Sequence, residues 1–257
     1  MCLLSVAWQS AHDYPFIFAG NRDEYHARAS AAADWWQDAP DVLGGRDLVA
    51  GGSWLGLNRD GRFAVVTNRP DLPAPDQGAL SRGDLVSAWL TRQATIAEAD
   101  SAEQLAESSS RYGGFSLLLG NARPGHTEPL RQISGGNGLD RLSCMTLPPG
   151  ISGLSNTAPD APWPKLRWLN GELTRLTRTT KPDPEMIFGL LQRQAAVPDT
   201  DQTGVPVTPF ISGSIYGTRC CTVIIVDHDG HCQFIERRFG PEGRATGESV
   251  FEFDLTP

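Results

Sequence analysis

"MCLLSVAWQSAHDYPFIFAGNRDE" (residues 1–24) decides how the chain is read. Two short apolar runs, 2–8 and 15–20, are separated by the polar turn "QSAHDY". This pattern predicts two strands that pair as antiparallel neighbours. The start of the first then faces the end of the second. Cys2 therefore falls beside "NRDE" at 21–24, where Asn21, Arg22, Asp23 and Glu24 crowd the mouth of a buried strand.

The rest of the chain repeats the theme. "SWLGLNRDGRFAVVTN" (53–68) reads as a hairpin around a turn signal, and "CCTVIIVDHDGHCQFIERRF" (220–239) as another around Asp229–Gly230. Further strands are expected at 115–121, 129–136 and 150–157. Residues 31–50, with Trp35 and Trp36, read as irregular. Helices are expected over 81–93, opened by Ser81 with Asp84 three residues on, and over 101–111, 162–178 and 184–195. Strands come in antiparallel pairs and helices in pairs, which is not the alternation that builds a parallel doubly wound sheet. Two antiparallel sheets stacked face to face, with helices outside, would bury every apolar face. The fold class is α+β, a four-layer αββα sandwich, and residues 1–257 form a single domain.

Composition narrows the function. The 257 residues are 40% hydrophobic and 20% charged, with a net charge of −8. That balance argues against nucleic acid or an anionic membrane as partner. No apolar stretch is long enough for a transmembrane segment, and the first residues lack the basic segment of a signal peptide. Five cysteines without a C-x-x-C pattern read as thiols of a reducing, cytoplasmic compartment. Phosphate-loop, dinucleotide and nucleophile-elbow motifs are missing. His228 and His231 flank a turn beside Cys232 and read as solvated turn residues, so no metal is expected.

What remains centres on Cys2. Removal of the initiator methionine would leave a cysteine that carries its own base. An α-amino group titrates at about 7.7–8 and a free thiol at about 8.5, so the amine can take the thiol proton near neutral pH. Acyl transfer also needs neutral donors for an oxyanion, a carboxylate to orient the ammonium and a cation near the thiolate. Asn68 and Asn156, Asp23, and Arg22 or Arg219 supply those types from motifs that end strands or interrupt apolar runs. A depressed Cys2 thiol pKa is expected in such a setting.

Several motifs carry a resemblance: "MCLL", "GNRDE", "GGSWLGLN", "AVVTNRPD", "SRGDLV", "YGGFSLLLGN", "GLSNTAPDAPWPK" and "YGTRCCTVII". Through nearly its whole length the chain resembles the NRDE family of transport-and-Golgi-organisation-like proteins. The resemblance implies the N-terminal-nucleophile hydrolase fold. A more distant similarity is to cysteine N-terminal-nucleophile amidases such as bile salt hydrolases and penicillin V acylases. It implies catalytic roles for Cys2, Asp23, Asn68, Asn156 and Arg219, with Asn21, Arg22, Glu24 and Trp54 binding substrate or supporting the site. Those amidases usually carry an arginine three residues before the aspartate, where this chain has Gly20. Because neighbouring strand residues face opposite ways, Arg22 is expected to point away from Cys2 if Asp23 faces it. Two functions follow from the resemblance. One is a cofactor-free hydrolase of non-peptide C–N bonds in small apolar acyl amides. The other is a non-catalytic protein that binds haem, acyl-CoA or lipid, with His26 or Cys2 as a possible iron ligand.

Overall fold

The computed structural model describes residues 2–10, 13–74, 77–92, 109–137, 139, 142–158, 161, 163–179, 182–198 and 207–256. Its strands in chain order are β1 (Leu3–Trp8), β2 (Phe16–Tyr25), β3 (Ser30–Trp35), β4 (Val42–Asp47), β5 (Leu55–Asn58), β6 (Arg62–Asn68), β7 (Phe115–Asn121), β8 (Leu130–Gly135), β9 (Ser143–Leu147), β10 (Gly150–Ser155), β11 (Tyr216–Val226), β12 (His231–Phe239) and β13 (Ala245–Asp254). The helices among the described residues are α1 (Gly83–Leu90), α2 (Pro164–Thr179) and α3 (Pro184–Leu191). The helix expected at 101–111 lies mostly outside the described residues.

The strands form two sheets, ordered β10-β1-β2-β11-β12-β13 and β3-β4-β5-β6-β7-β8-β9. Every named pairing is antiparallel. Strand alternation sorts the apolar residues into three layers. Leu4, Val6, Phe16 and Phe18 meet Leu57, Phe63 and Val65 between the sheets. Leu3, Ala7, Ile17 and Ala19 face Leu169 and Leu173 of α2 and Ile187 and Phe188 of α3. Ala64, Val66, Leu117 and Leu119 face Leu85, Val86 and Trp89 of α1. The result is the expected α+β sandwich, with two stacked sheets and helices outside.

Three expectations need correction. Residues 31–50 are not irregular, since they contain β3 and β4. The alanines of β3 are poor strand formers, but the strand is fixed from outside itself: the Glu236 carboxylate accepts the Ala33 N–H at 2.9 Å. β9 and β13 escaped notice because both are edge strands that bury little and so lack a clear apolar alternation. Finally, the second strand does not stop at residue 20 but runs on through "NRDE" to Tyr25, because β11 pairs with β2 that far.

Gly20 explains the missing arginine locally. A Cβ at Gly20 would lie 2.6 Å from the Phe18 ring and 3.1 Å from the Leu4 Cβ. The space is already filled by core. We expect Gly20→Ala to cost about 1–3 kcal/mol through overpacking, read by urea denaturation. A loss within error of zero would show that the Phe18 ring yields freely.

Candidate active site

Pairing on both sides of β1 builds the site. Leu3 is opposite Asn21 of β2 on one side and Ser155 of β10 on the other. One residue earlier, the same register brings Cys2 between Arg22 and the position of Asn156. Alternation sends Cys2 the same way as Leu4, into the space between the sheets. There Cys2, Arg22, Asp23, Trp54 and Asn68 line a cleft of about 590 Å³ with Glu24, Arg82 and Tyr216. Inward of Cys2, beside Leu4, Phe18, Gly20 and Val65, the free space is only about 20 Å³.

Arg22 and Asp23 divide as the pleat requires, but the roles expected of them are exchanged. Arg22 does not point away. It is 7% exposed, its guanidinium lies 4.2 Å above the Trp54 ring, and its Nη1 is buried without a hydrogen-bond partner. The Asp23 carboxylate turns to the helical side. Its Oδ1 accepts from the Thr218 hydroxyl at 2.7 Å, and its Oδ2 lies 4.0 Å from Lys165 Nζ. Asp23 still touches the nucleophile through its main chain, which hydrogen-bonds the Cys2 sulfur. Asn21 also faces the helices and donates to the carbonyls of Leu191 and Pro209 at 2.9 and 3.0 Å. Glu24 lines the cleft, and its Oε1 accepts the Tyr25 N–H.

Asn68 and Asn156 meet where the two sheets come together. The Asn156 amide is buried and donates to the Asn68 carbonyl at 2.9 Å and to the Asn68 side-chain oxygen. Thr67 adds a second tie, donating to the Ser155 carbonyl at 3.0 Å. Asn156 therefore orients Asn68, leaving the Asn68 Nδ2 as the donor nearer the cleft.

Arg219 is the clearest correction. It is the extra residue of a bulge in β11, between Thr218 opposite Asp23 and Cys220 opposite Arg22. Its Nη1 donates to the carbonyls of Tyr25, His26 and Arg28. Arg219 braces the turn after β2, and the arginine beside Cys2 is Arg22. His26 is likewise held, its Nε2 lying 3.0 Å from the Gly213 carbonyl.

Lys165 was not anticipated. It is 2% exposed and stands in the first turn of α2. A cation there opposes the helix dipole, so it needs a partner elsewhere. A signal did exist: Lys165 is one of only two lysines in the chain.

A profile of the Transport and Golgi organisation 2 family matches residues 1–241. The chain belongs to that family. The human Transport and Golgi organization protein 2 homolog is 32% identical over 283 residues, with 99% of each chain covered. The Drosophila melanogaster Transport and Golgi organization protein 2 is 26% identical, with 87% of this chain and 86% of the relative covered. Solved structures with similarity include an N-acylethanolamine-hydrolyzing acid amidase ortholog of Caenorhabditis elegans, at 13% identity and a TM-score of 0.48 over 87% of this chain and 92% of that one. A penicillin V acylase from Agrobacterium tumefaciens matches at 15% identity and a TM-score of 0.44, covering 99% and 86%.

In this Transport and Golgi organisation 2 member, burial dominates the electrostatics at Cys2. It pushes the thiol up; the Asp23 carboxylate adds to this and Arg22 opposes it. In this chain, which keeps Met1, desolvation of the thiolate outweighs the cation; the depressed thiol is expected of a chain that begins at Cys2, which this state does not test. Burial also pushes the Asp23 carboxyl up and the Lys165 ammonium down, and each partner holds the other toward its charged form. Among the described residues, no group of three or more His, Cys, Asp or Glu could hold a metal ion. None of the described helices is long and apolar enough to cross a membrane.

Two measurements check these assignments. In the chain that keeps Met1, iodoacetamide labelling of Cys2 should rise with pH through a midpoint above that of free cysteine, because the thiol is raised, and Arg22→Gln should move it higher still. A midpoint at or below that of free cysteine would contradict the assignment. Lys165→Met should cost about 3–5 kcal/mol at pH 7 by taking the Lys165 ammonium away from the buried Asp23 carboxylate. The cost should shrink as the pH falls, because the raised Asp23 carboxyl takes up its proton at a higher pH than an ordinary aspartate and then no longer calls for a buried ammonium. The double variant Asp23→Asn/Lys165→Met should recover part of the loss. A cost that does not change with pH would place the stabilisation elsewhere.

Proposed function

We propose that the chain is a cysteine amidase that hydrolyses small acyl amides through a Cys2 thioester, after loss of Met1. The observation that carries this reading is the placement of Cys2: at the foot of an open cleft, beside the Arg22 guanidinium, the Asp23 main chain and the Asn68 amide.

The chemistry follows from those groups. The Cys2 sulfur attacks the amide carbonyl carbon while its proton passes to the Cys2 α-amine. The carbonyl oxygen becomes an oxyanion, for which the Asn68 Nδ2 is the neutral donor, oriented by Asn156. Collapse breaks the C–N bond, and the α-ammonium protonates the leaving amine. Water then attacks the thioester, giving up a proton to the α-amine and releasing the carboxylic acid and the thiol. A neutral resting thiol suits this sequence, since the proton leaves only as the S–C bond forms. Arg22 stabilises negative charge on sulfur when the thiolate leaves. Asp23, tied to Lys165 and Thr218, fixes the strand end against which the new amino terminus rests. The chemistry requires no cofactor. All five cysteines are free thiols, which accords with a reducing, cytoplasmic setting.

The test combines intact mass with product analysis. Chain lacking Met1 should release dodecanoic acid from N-dodecanoylglycine or N-dodecanoylethanolamine, and Cys2→Ala should not. Asn68→Ala should lower kcat by about 10²–10³-fold, the scale of losing one oxyanion donor. Turnover by Cys2→Ala, or none by Met1-free chain, would overturn the reading. In the second case a binder of acyl-CoA, lipid or haem on the same sandwich would replace it.

A further inference from the structure

Three arginines line the cleft, and among the described residues only Arg28 has a carboxylate within ion-pair distance. Arg28 is bound by Asp47 at 2.6 and 2.9 Å, with Glu24 at 4.0 Å. These two acids are thereby committed, and Asp23 is turned to Lys165 and Thr218. Arg22 and Arg82 meet no carboxylate within ion-pair distance among the described residues. Arg22 is more than nine-tenths buried, stacks on Trp54 and keeps an unpartnered Nη1. Among the described residues, Arg82 makes one side-chain hydrogen bond, from Nη1 to the Gly114 carbonyl at 3.1 Å.

Arg82 is also held firmly in place. It caps the start of α1, and the next residue, Gly83, is pressed on the chain at 52–53. A Cβ on Gly52 would lie 2.5 Å from the Gly83 backbone, and the Ser53 N–H donates to the Gly83 carbonyl at 3.3 Å. The glycines of "GGSWLG" and "SRGDLV" thus let two backbones touch, fixing Arg82 on the cleft wall. Burial holds the Arg82 guanidinium below its usual range although Glu24 acts on it from across the cleft; a partly buried guanidinium with no acid in ion-pair contact pays a desolvation cost that an incoming anion would offset. Its planar fork suits an oxyanion that can accept two hydrogen bonds.

We infer that Arg22 and Arg82 form a receiving site for an oxyanion carried close to the scissile amide of the substrate, a carboxylate or a phosphate. The inference deepens the amidase reading by naming the charge class of its substrate. Register places Arg22 beside Cys2, so the anion lies near the reacting carbon and not at the far end of an acyl chain.

The test is binding to the Cys2→Ala chain, which cannot turn over. By calorimetry below their micellar concentrations, N-dodecanoylglycine should bind at least about fivefold more tightly than neutral N-dodecanoylethanolamine. Arg82→Gln should abolish that difference, and Arg82→Lys should keep part of it. Dodecyl phosphate, run in parallel, tells a preference for phosphate from one for carboxylate, and tight binding of either supports the site. Should Arg82→Gln fail to fold, added KCl on the Cys2→Ala chain must weaken N-dodecanoylglycine and leave the ethanolamide unchanged. Equal affinities for charged and neutral amides, a preference that survives Arg82→Gln, or no binding of either anion overturns the inference. Anion binding by Cys2→Ala without turnover by the Met1-free chain would instead sink the amidase reading and leave the anion site standing.

Discussion

Pairing of β1 on both of its edges is the constraint on which the site depends. Leu3 faces Asn21 and Ser155 at once, so nothing at the chain start can slip without moving every side chain to the wrong layer. The buried residues of β1 then leave Cys2 no choice of neighbours. A terminal residue is usually free to wander; here it is held by strands on either side and by the core beneath it.

The same geometry resolves the Arg–Asp question. In a strand, residues one or three apart share the property of facing opposite ways. An arginine directly before Asp23 and one three places before it would therefore point to the same side, and the shift from position 20 to 22 keeps the cation between the sheets. The Cys2 side chain reaches the inter-sheet space, where the Asp23 main chain hydrogen-bonds the sulfur. The bulge at Arg219 serves this arrangement by letting Thr218 meet Asp23 while Cys220 stays in register with Arg22.

Much of this was legible in the sequence. The two opening strands, the hairpin turns and the amphipathic helices carry strong local periodicity, and these set the layers. The nearness of Cys2 to "NRDE" followed from strand adjacency alone, whereas Asn68, at the end of β6 in the other sheet, was pointed to by its residue type and by the amidase resemblance. What failed did so for identifiable reasons. β3, β9 and β13 bury too little to mark themselves. Side-chain direction at a bulge cannot be read from spacing, so Arg219 was assigned to the wrong neighbourhood. The Cys2 thiol is expected low only once its own amine is freed, whereas in the chain that keeps Met1 desolvation raises it. Lys165 was hidden by distance, lying far along the chain from Asp23 and joined to it only by the packing of α2.

Filling the space at Gly20 with the Phe18 ring closes the inner wall beside the nucleophile. Moving the cation one pleat outward, about 6.8 Å along the strand, puts charge near the mouth and hydrocarbon behind it. In the amidase we propose, an acyl group would find no sealed tunnel against which its length could be measured. It must run along the open cleft between Trp54 and Tyr216. Selection by such a site falls on the head of a molecule and leaves the length of its tail free.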